Sequence, residues 1–150
     1  MSAHAQLTED GRLRHLLSLD GLSAATLEQV LDQAELLLPH AHAGTGARGR
    51  HPGRTACTLF FENSTRTRCS FQLAATRLGM DVLNFDVSTS SAKKGETDLD
   101  TLRTLEAMGV DVFVVRHAGD TAVAALAAGA RPATRIVNAG AGRADHPTQG

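Results

Sequence analysis

Nine consecutive residues, Phe60-Phe61-Glu62-Asn63-Ser64-Thr65-Arg66-Thr67-Arg68, join an apolar run to a polar one. The run that enters them, Thr55 to Phe61, reads as a buried strand, and Thr67 to Leu78 reads as a helix. A helix start offers free backbone N–H groups and the positive end of the helix dipole. Ser64, Thr65 and Thr67 add hydroxyl donors, and Arg66 adds a planar fork for two oxygens of one anion. These residue types at this spacing suit a phosphate held without a Gly-rich loop. A capped helix with two surface arginines is the plainer reading of the same residues.

Three more polar segments carry candidate groups. Ser88 to Thr97 is hydroxyl-rich and then doubly basic at Lys93-Lys94, although taken alone a solvated loop is the better explanation. Arg116-His117 directly follows a strand pattern, where an exposed strand end is the alternative. Asn138 to Gln149 has glycines for a sharp turn, then His146 and Gln149 close together. A neutral imidazole and an amide so placed can hold a carbonyl oxygen and an NH2 group. Two other patterns lead nowhere. Gly44-Thr45-Gly46-Ala47-Arg48-Gly49 matches a dinucleotide-binding motif but follows a helix pattern, not a strand, and no helix opens after it. His40 and His42 have ligand spacing with no Cys or carboxylate near them, so no metal is expected.

The elements that position these segments follow from hydrophobic spacing. Leu27, Val30, Leu31, Ala34, Leu37 and Leu38 predict a helix from Ser23, its N-cap, to about Leu38, with Pro39 as its stop. His40 to Gly53 reads as a loop. Strands are predicted over 55–61, 81–85, 110–115 and 135–138. Helices are predicted over 67–78, 96–108 and 120–128, with Gly79 and Gly109 ending the first two. Such alternation predicts an α/β fold, a parallel sheet with helices on both faces. Ligands of these sheets bind beyond the carboxyl ends of the strands. The four polar segments all lie at those ends.

Composition narrows the classes. A chain of 150 residues suffices for one domain with a core. Its net charge of −1, with no Trp or Tyr, gives no reason to expect a nucleic acid or membrane partner. Cys57 and Cys69 make neither a disulfide framework nor a zinc set, and both are expected to pack. A reducing cytoplasm fits. The N-terminal residues show no signal-peptide or transmembrane pattern.

Phe60-x-Glu62-x-Ser64-Thr65-Arg66-Thr67 resembles the carbamoyltransferase signature. Lys93-Lys94-Gly95-Glu96-Thr97, Val115-Arg116-His117 and His146-Pro147-Thr148-Gln149 follow in the order seen in the aspartate carbamoyltransferase family, from about Leu16 to the last residue. The related ornithine enzymes share the first and last motifs and usually lack the Lys-Lys-Gly-Glu-Thr form. The resemblance implies a carbamoyl-phosphate-binding domain over 1–150, with an aspartate-binding second domain absent from this chain. It implies that Ser64, Thr65, Arg66 and Thr67 hold the phosphate. It also implies that Arg116, His146 and Thr67 serve the carbonyl oxygen, and that Gln149 serves the carbamoyl amide. Arg66, Thr67, Arg116 and His146 would be the catalytic set. Ser90 and Lys94 would enter the neighbouring subunit's site in a homotrimer. No cofactor or metal is implied. L-aspartate, regulatory chains and dihydroorotase are the partners the family admits. The implied activity is transfer of the carbamoyl group to L-aspartate in pyrimidine biosynthesis, the chain alone being inactive without the second domain. The alternatives are an ornithine carbamoyltransferase and a non-catalytic carbamoyl-phosphate-binding or assembly module.

Overall fold

The computed structural model describes residues 6–43, 49–87, 95–143 and 146–149. Ser90, Lys94 and all but the last residue of the Gly44–Gly49 pattern lie outside the described residues.

The chain runs α1 (Ala24–Ala43), β1 (Thr55–Phe60), α2 (Thr65–Arg77), β2 (Asp81–Asp86), α3 (Asp98–Ala107), β3 (Val112–His117), α4 (Ala122–Gly129) and β4 (Arg135–Ala141), then a 3₁₀ turn (Pro147–Gln149). The four strands form one parallel sheet in the order β2-β1-β3-β4. Alternate residues of the central strands feed two cores. Cys57, Leu59, Phe113 and Val115 pack with Leu102 and Leu105 of α3 and Val123 and Leu126 of α4. Phe60, Val114 and Ala139 pack with Phe71 of α2 on the opposite face. The expected α/β fold with helices on both faces is what the chain adopts.

This order has a consequence for ligands. The connection leaving β1 goes to α2 on one face, and that leaving β3 goes to α4 on the other. Adjacent strands whose connections part in this way leave a crevice between their carboxyl ends. Residues 61–64 and 118–121 flank that crevice.

Several boundaries differ from expectation. Ser23 does cap α1, its Oγ accepting from the Thr26 N–H at 3.1 Å. Pro39 does not stop the helix, which continues to Ala43. Its ring removes the donor for the Glu35 carbonyl, but Glu35 is exposed and water can serve that oxygen. Helix α2 begins at Thr65, two residues earlier than its apolar face suggests, because Ser64 and not Thr67 holds the extended N-cap position. Arg116 and His117 are the last residues of β3, not a loop after it, since the Phe61 N–H bonds the Arg116 carbonyl at 2.9 Å. Cys57 is buried, and burial pushes its thiol pKa up to about 12. Cys69 is exposed, not packed. It lies two positions before Phe71, a rotation of about 200° on a helix, which turns it away from the sheet.

The N-terminal strap covers the outer edge of β4. Leu16 pairs with Val137. The Leu16 N–H donates to the Ile136 carbonyl at 2.9 Å, and the Asn138 N–H donates to the Leu16 carbonyl at 2.8 Å. Gln6 Oε1 accepts from the Leu17 and Ser18 N–H groups at 2.7 and 2.9 Å, fixing the strap from behind. Among the described residues no helix is long and apolar enough to cross a membrane.

Candidate functional site

Ser64 opens α2 without capping it. Its hydroxyl donates to Thr67 Oγ1 at 2.9 Å, and it makes no side-chain bond to the first-turn amides. The leading N–H groups of this 13-residue helix therefore stay open to an anion. Thr65, Arg66 and Thr67 form its first turn. The two arginines that composition leaves equivalent part ways here. Arg68 is held to Asp86 at 3.3 Å and lies over the Phe60 ring. Arg66 has no ion-pair partner among the described residues and lines a cavity.

That cavity, of about 580 Å³, is lined by Ser64, Arg66, Thr67, Ser70, Arg116, His146 and Gln149. Three of the four strand ends, those of β1, β3 and β4, thus deliver their groups to one place; Ser90 and Lys94, in the segment after β2, lie outside the described residues. A second cavity of about 540 Å³ shares Arg116, His146 and Gln149 and adds Ser18, Asp20 and Arg143.

Arg116 stands where the two meet. Its Nη1 donates to the Ala139 carbonyl at 3.0 Å, and its Nε lies 3.8 Å from Glu62 Oε2. The Nε is buried without a hydrogen-bond partner, as is His146 Nε2. Buried polar atoms are rarely left without a partner, and a ligand or an ordered water can serve them. Burial, and then the Arg116 charge, holds the His146 imidazole below its ordinary pKa, so it is neutral at physiological pH. Thr148 Oγ1 lies 3.1 Å from His146 Nδ1. With Nδ1 accepting from that hydroxyl, Nε2 carries the proton and can donate to a neutral oxygen. The 3₁₀ turn sets this arrangement, the Gln149 N–H donating to the His146 carbonyl at 2.9 Å.

The chemistry available is anion binding at a helix start, beside cationic and neutral donors converging on one small group. Among the described residues no group of His, Cys, Asp or Glu side chains is placed to hold a metal ion.

Residues 14–150 match the family model described as aspartate/ornithine carbamoyltransferase, carbamoyl-P binding domain. The chain belongs to this family. It is 61% identical over 145 residues to the aspartate carbamoyltransferase catalytic subunit of Xanthomonas axonopodis pv. citri, covering 97% of this chain and 46% of that protein. The catalytic subunit of M. jannaschii aspartate transcarbamoylase superposes with a TM-score of 0.82 at 32% identity, over 91% of this chain and 44% of that one. Aspartate transcarbamoylase from Trypanosoma cruzi, solved with carbamoyl phosphate and aspartate, gives a TM-score of 0.79 at 38% identity, over 91% and 41%. The chain spans about half the length of the curated relatives it matches.

Within this carbamoyl-P binding domain, residue types alone missed four groups. Ser70 lines the cavity one turn after Arg66. Glu62 faces Arg116 across the crevice. Gly140, at φ +123°, leaves room for the Arg116 guanidinium, which a Cβ there would meet at 2.3 Å from Nη1. Asp120 accepts from the Arg143 N–H at 3.1 Å and braces the turn that leads to His146. Glu62 and Gly140 stood inside motifs already singled out. Ser70 and Asp120 carried no sequence signal.

Proposed function

We propose that this chain supplies the carbamoyl phosphate site of an aspartate carbamoyltransferase, which makes N-carbamoyl-L-aspartate and phosphate in pyrimidine biosynthesis. The observation that carries this reading is one cavity. There the open start of α2, with Ser64, Arg66 and Thr67, meets Arg116, His146 and Gln149, and the buried Arg116 Nε and His146 Nε2 have no hydrogen-bond acceptor within the protein.

The phosphate sits on the first-turn amides and hydroxyls of Thr65 to Thr67, with Arg66 as its fork. Gln149 Oε1 accepts from the carbamoyl NH2. The amine of aspartate attacks the carbamoyl carbon and forms the new C–N bond. The carbonyl oxygen gains charge, which Arg116, His146 Nε2 and Thr67 stabilise. Each preorganised donor of this kind is worth about 3 kcal/mol. The C–O bond to phosphate then breaks, the departing phosphate takes the proton of the attacking amine, and it leaves the arginines as the hydrogen phosphate dianion. Aspartate itself would be held by a second domain. Ser90 and Lys94 would reach the site of the neighbouring subunit in a cytoplasmic homotrimer, which makes a symmetric assembly part of the site.

Calorimetric titration with carbamoyl phosphate, with the oligomeric state measured alongside, tests the reading. Saturable binding is expected, weakened at least about tenfold by Arg66→Ala through loss of charge-assisted hydrogen bonds. Unchanged affinity in that variant removes Arg66 from the cradle. In an enzyme carrying both domains, mixed trimers of Arg66→Ala and Lys94→Ala subunits should recover activity that neither variant has alone. Inactive hybrids would exclude a shared site.

A further inference from the structure

His117 stands next to Arg116, yet the reaction as described gives it no task. Its ring is nonetheless held on every side. Nδ1 accepts from the Gly119 N–H at 2.8 Å. Nε2 lies 3.2 Å from Asp98 Oδ2, at the first residue of α3. Phe61 meets the ring edge-on, with centroids 4.8 Å apart. Gly119 sits so close beneath it that a Cβ there would come within 3.2 Å of Nδ1.

The two ring contacts settle the tautomer. A nitrogen that accepts from a backbone N–H carries no proton, so in the neutral ring the proton is on Nε2. It is thus aimed at the Asp98 carboxylate, and the pair is a charge-assisted hydrogen bond even without an imidazolium. The backbone continues the connection. The His117 carbonyl accepts from the Gly142 N–H at 2.9 Å, and Asp120, three residues on, accepts from the Arg143 N–H at 3.1 Å. Gly142 is at φ +53°, and any Cβ there would collide with the Asp120 carboxylate. The end of β3 therefore touches α3 on one side and the turn before His146 on the other.

We propose that His117 is a positioning residue of the carbamoyl phosphate site. By its Nε2–Asp98 bond, its Nδ1–Gly119 bond and its carbonyl–Gly142 bond, it fixes the ends of β3, α3 and β4 against one another. Arg116 and the approach to His146 are set by that junction. The inference rests on the reading given under Proposed function, and it concerns a residue that does not touch the substrate. Asp98 is its partner because a carboxylate at the first turn of α3 can accept from Nε2 while facing solvent. An amide oxygen at the same place could accept as well.

The test compares His117→Phe, Asp98→Ala, Asp98→Asn and the double variant His117→Phe/Asp98→Ala. Phenylalanine keeps the packing against Phe61 and removes both ring nitrogens. Carbamoyl phosphate affinity, by calorimetry, should fall about tenfold in His117→Phe and about fivefold in Asp98→Ala. It should fall no further in the double variant, because the two act through one contact. Asp98→Asn, which keeps an acceptor, should bind within about twofold of the unaltered chain. Amide hydrogen exchange without ligand gives a second readout. His117→Phe should speed exchange at Arg143, far along the chain, as well as at Gly119. Wild-type affinity in His117→Phe, losses that multiply in the double variant, or unchanged exchange at Arg143 would each overturn the proposal. If the unaltered chain itself binds nothing, the proposed site function of the isolated chain fails separately. The Arg143 exchange then decides on His117 alone, faster exchange supporting the junction and unchanged exchange refuting it.

Discussion

Replacing Arg116 with alanine is expected to weaken carbamoyl phosphate binding at least about a hundredfold, the combined loss of two charge-assisted hydrogen bonds in a partly dry site. The side chain is only 26% exposed, so its charge is less screened than that of the exposed Arg66. It is also held before any ligand arrives, by the Ala139 carbonyl at 3.0 Å and by Glu62 at 3.8 Å. A donor already in place loses little entropy on binding. Arg116→Lys should recover only a small part of the loss, because an ammonium offers its donors from a single nitrogen and lacks the planar fork that can bond Ala139 while presenting separate nitrogens to two ligand oxygens. Gly140→Ala makes the complementary change from the backbone side. Its Cβ would lie 2.3 Å from Nη1, and φ is +123°, so both the guanidinium and the turn must shift. A loss of roughly tenfold in affinity is expected, with Arg116 itself intact. Calorimetry on folded variants checks all three. Wild-type affinity in Arg116→Ala would remove this arginine from the site. Wild-type affinity in Gly140→Ala would mean that its placement does not matter.

How much of this was legible beforehand depended on the range of the cause. Strands β1 and β3 and helices α2 and α3 announce themselves through local spacing, and their alternation leads to a parallel sheet whose carboxyl edge gathers the motifs. The proposed phosphate cradle could be read as a candidate because it is one contiguous stretch, from Ser64 to Thr67. What a neighbour distant in sequence decides left no trace. Arg66 and Arg68 are alike by type, and only the closeness of Asp86 on β2 ties down Arg68 and leaves Arg66 for the cavity. The last residues of β3 looked like loop because they are polar, yet the β1 end holds them in the sheet. Pro39 looked like a stop, and an exposed helix tolerates the carbonyl it leaves unpaired. The strap from Gln6 to Ser18 has no periodicity to read, since its partners are side chains and a strand edge contributed from residues 136–138.

That strap gives the second large effect, on stability against pH. His15 is buried, at 1% exposure, and its Nδ1 accepts from the Ile136 N–H at 3.0 Å. Burial, aided by the charges of Arg14 and Arg135, lowers its pKa from 6.5 to about 4. The sign follows from proton uptake. Above pH 6.5 neither the folded nor the unfolded chain binds this proton, and the contribution to stability is complete. Between pH 6.5 and 4 the unfolded chain takes up the proton and the folded chain does not, so stability falls with falling pH. One such group removes about 3 kcal/mol by pH 4, a large share of a marginal domain's stability. His146 is shifted in the same direction and adds to the loss. His15→Asn separates the two. Its Oδ1 can accept from the Ile136 N–H, and it does not titrate. Denaturant unfolding at pH 7 and pH 4 should show the gap between the unaltered chain and His15→Asn change by about 3 kcal/mol in favour of the variant at low pH. Parallel pH profiles would mean that His15 takes up its proton as easily folded as unfolded. The same acidification bears on the site. The strap holds Asn138 through the Leu16 and Leu17 carbonyls, and Asn138 Oδ1 in turn accepts from the Gly140 N–H at 2.9 Å. Gly140 is where Arg116 lies against the backbone. Protonating His15 therefore removes one of the bonds that join the strap to β4, two residues before Asn138, on the edge that leads to the residue on which carbamoyl phosphate binding is expected to depend most.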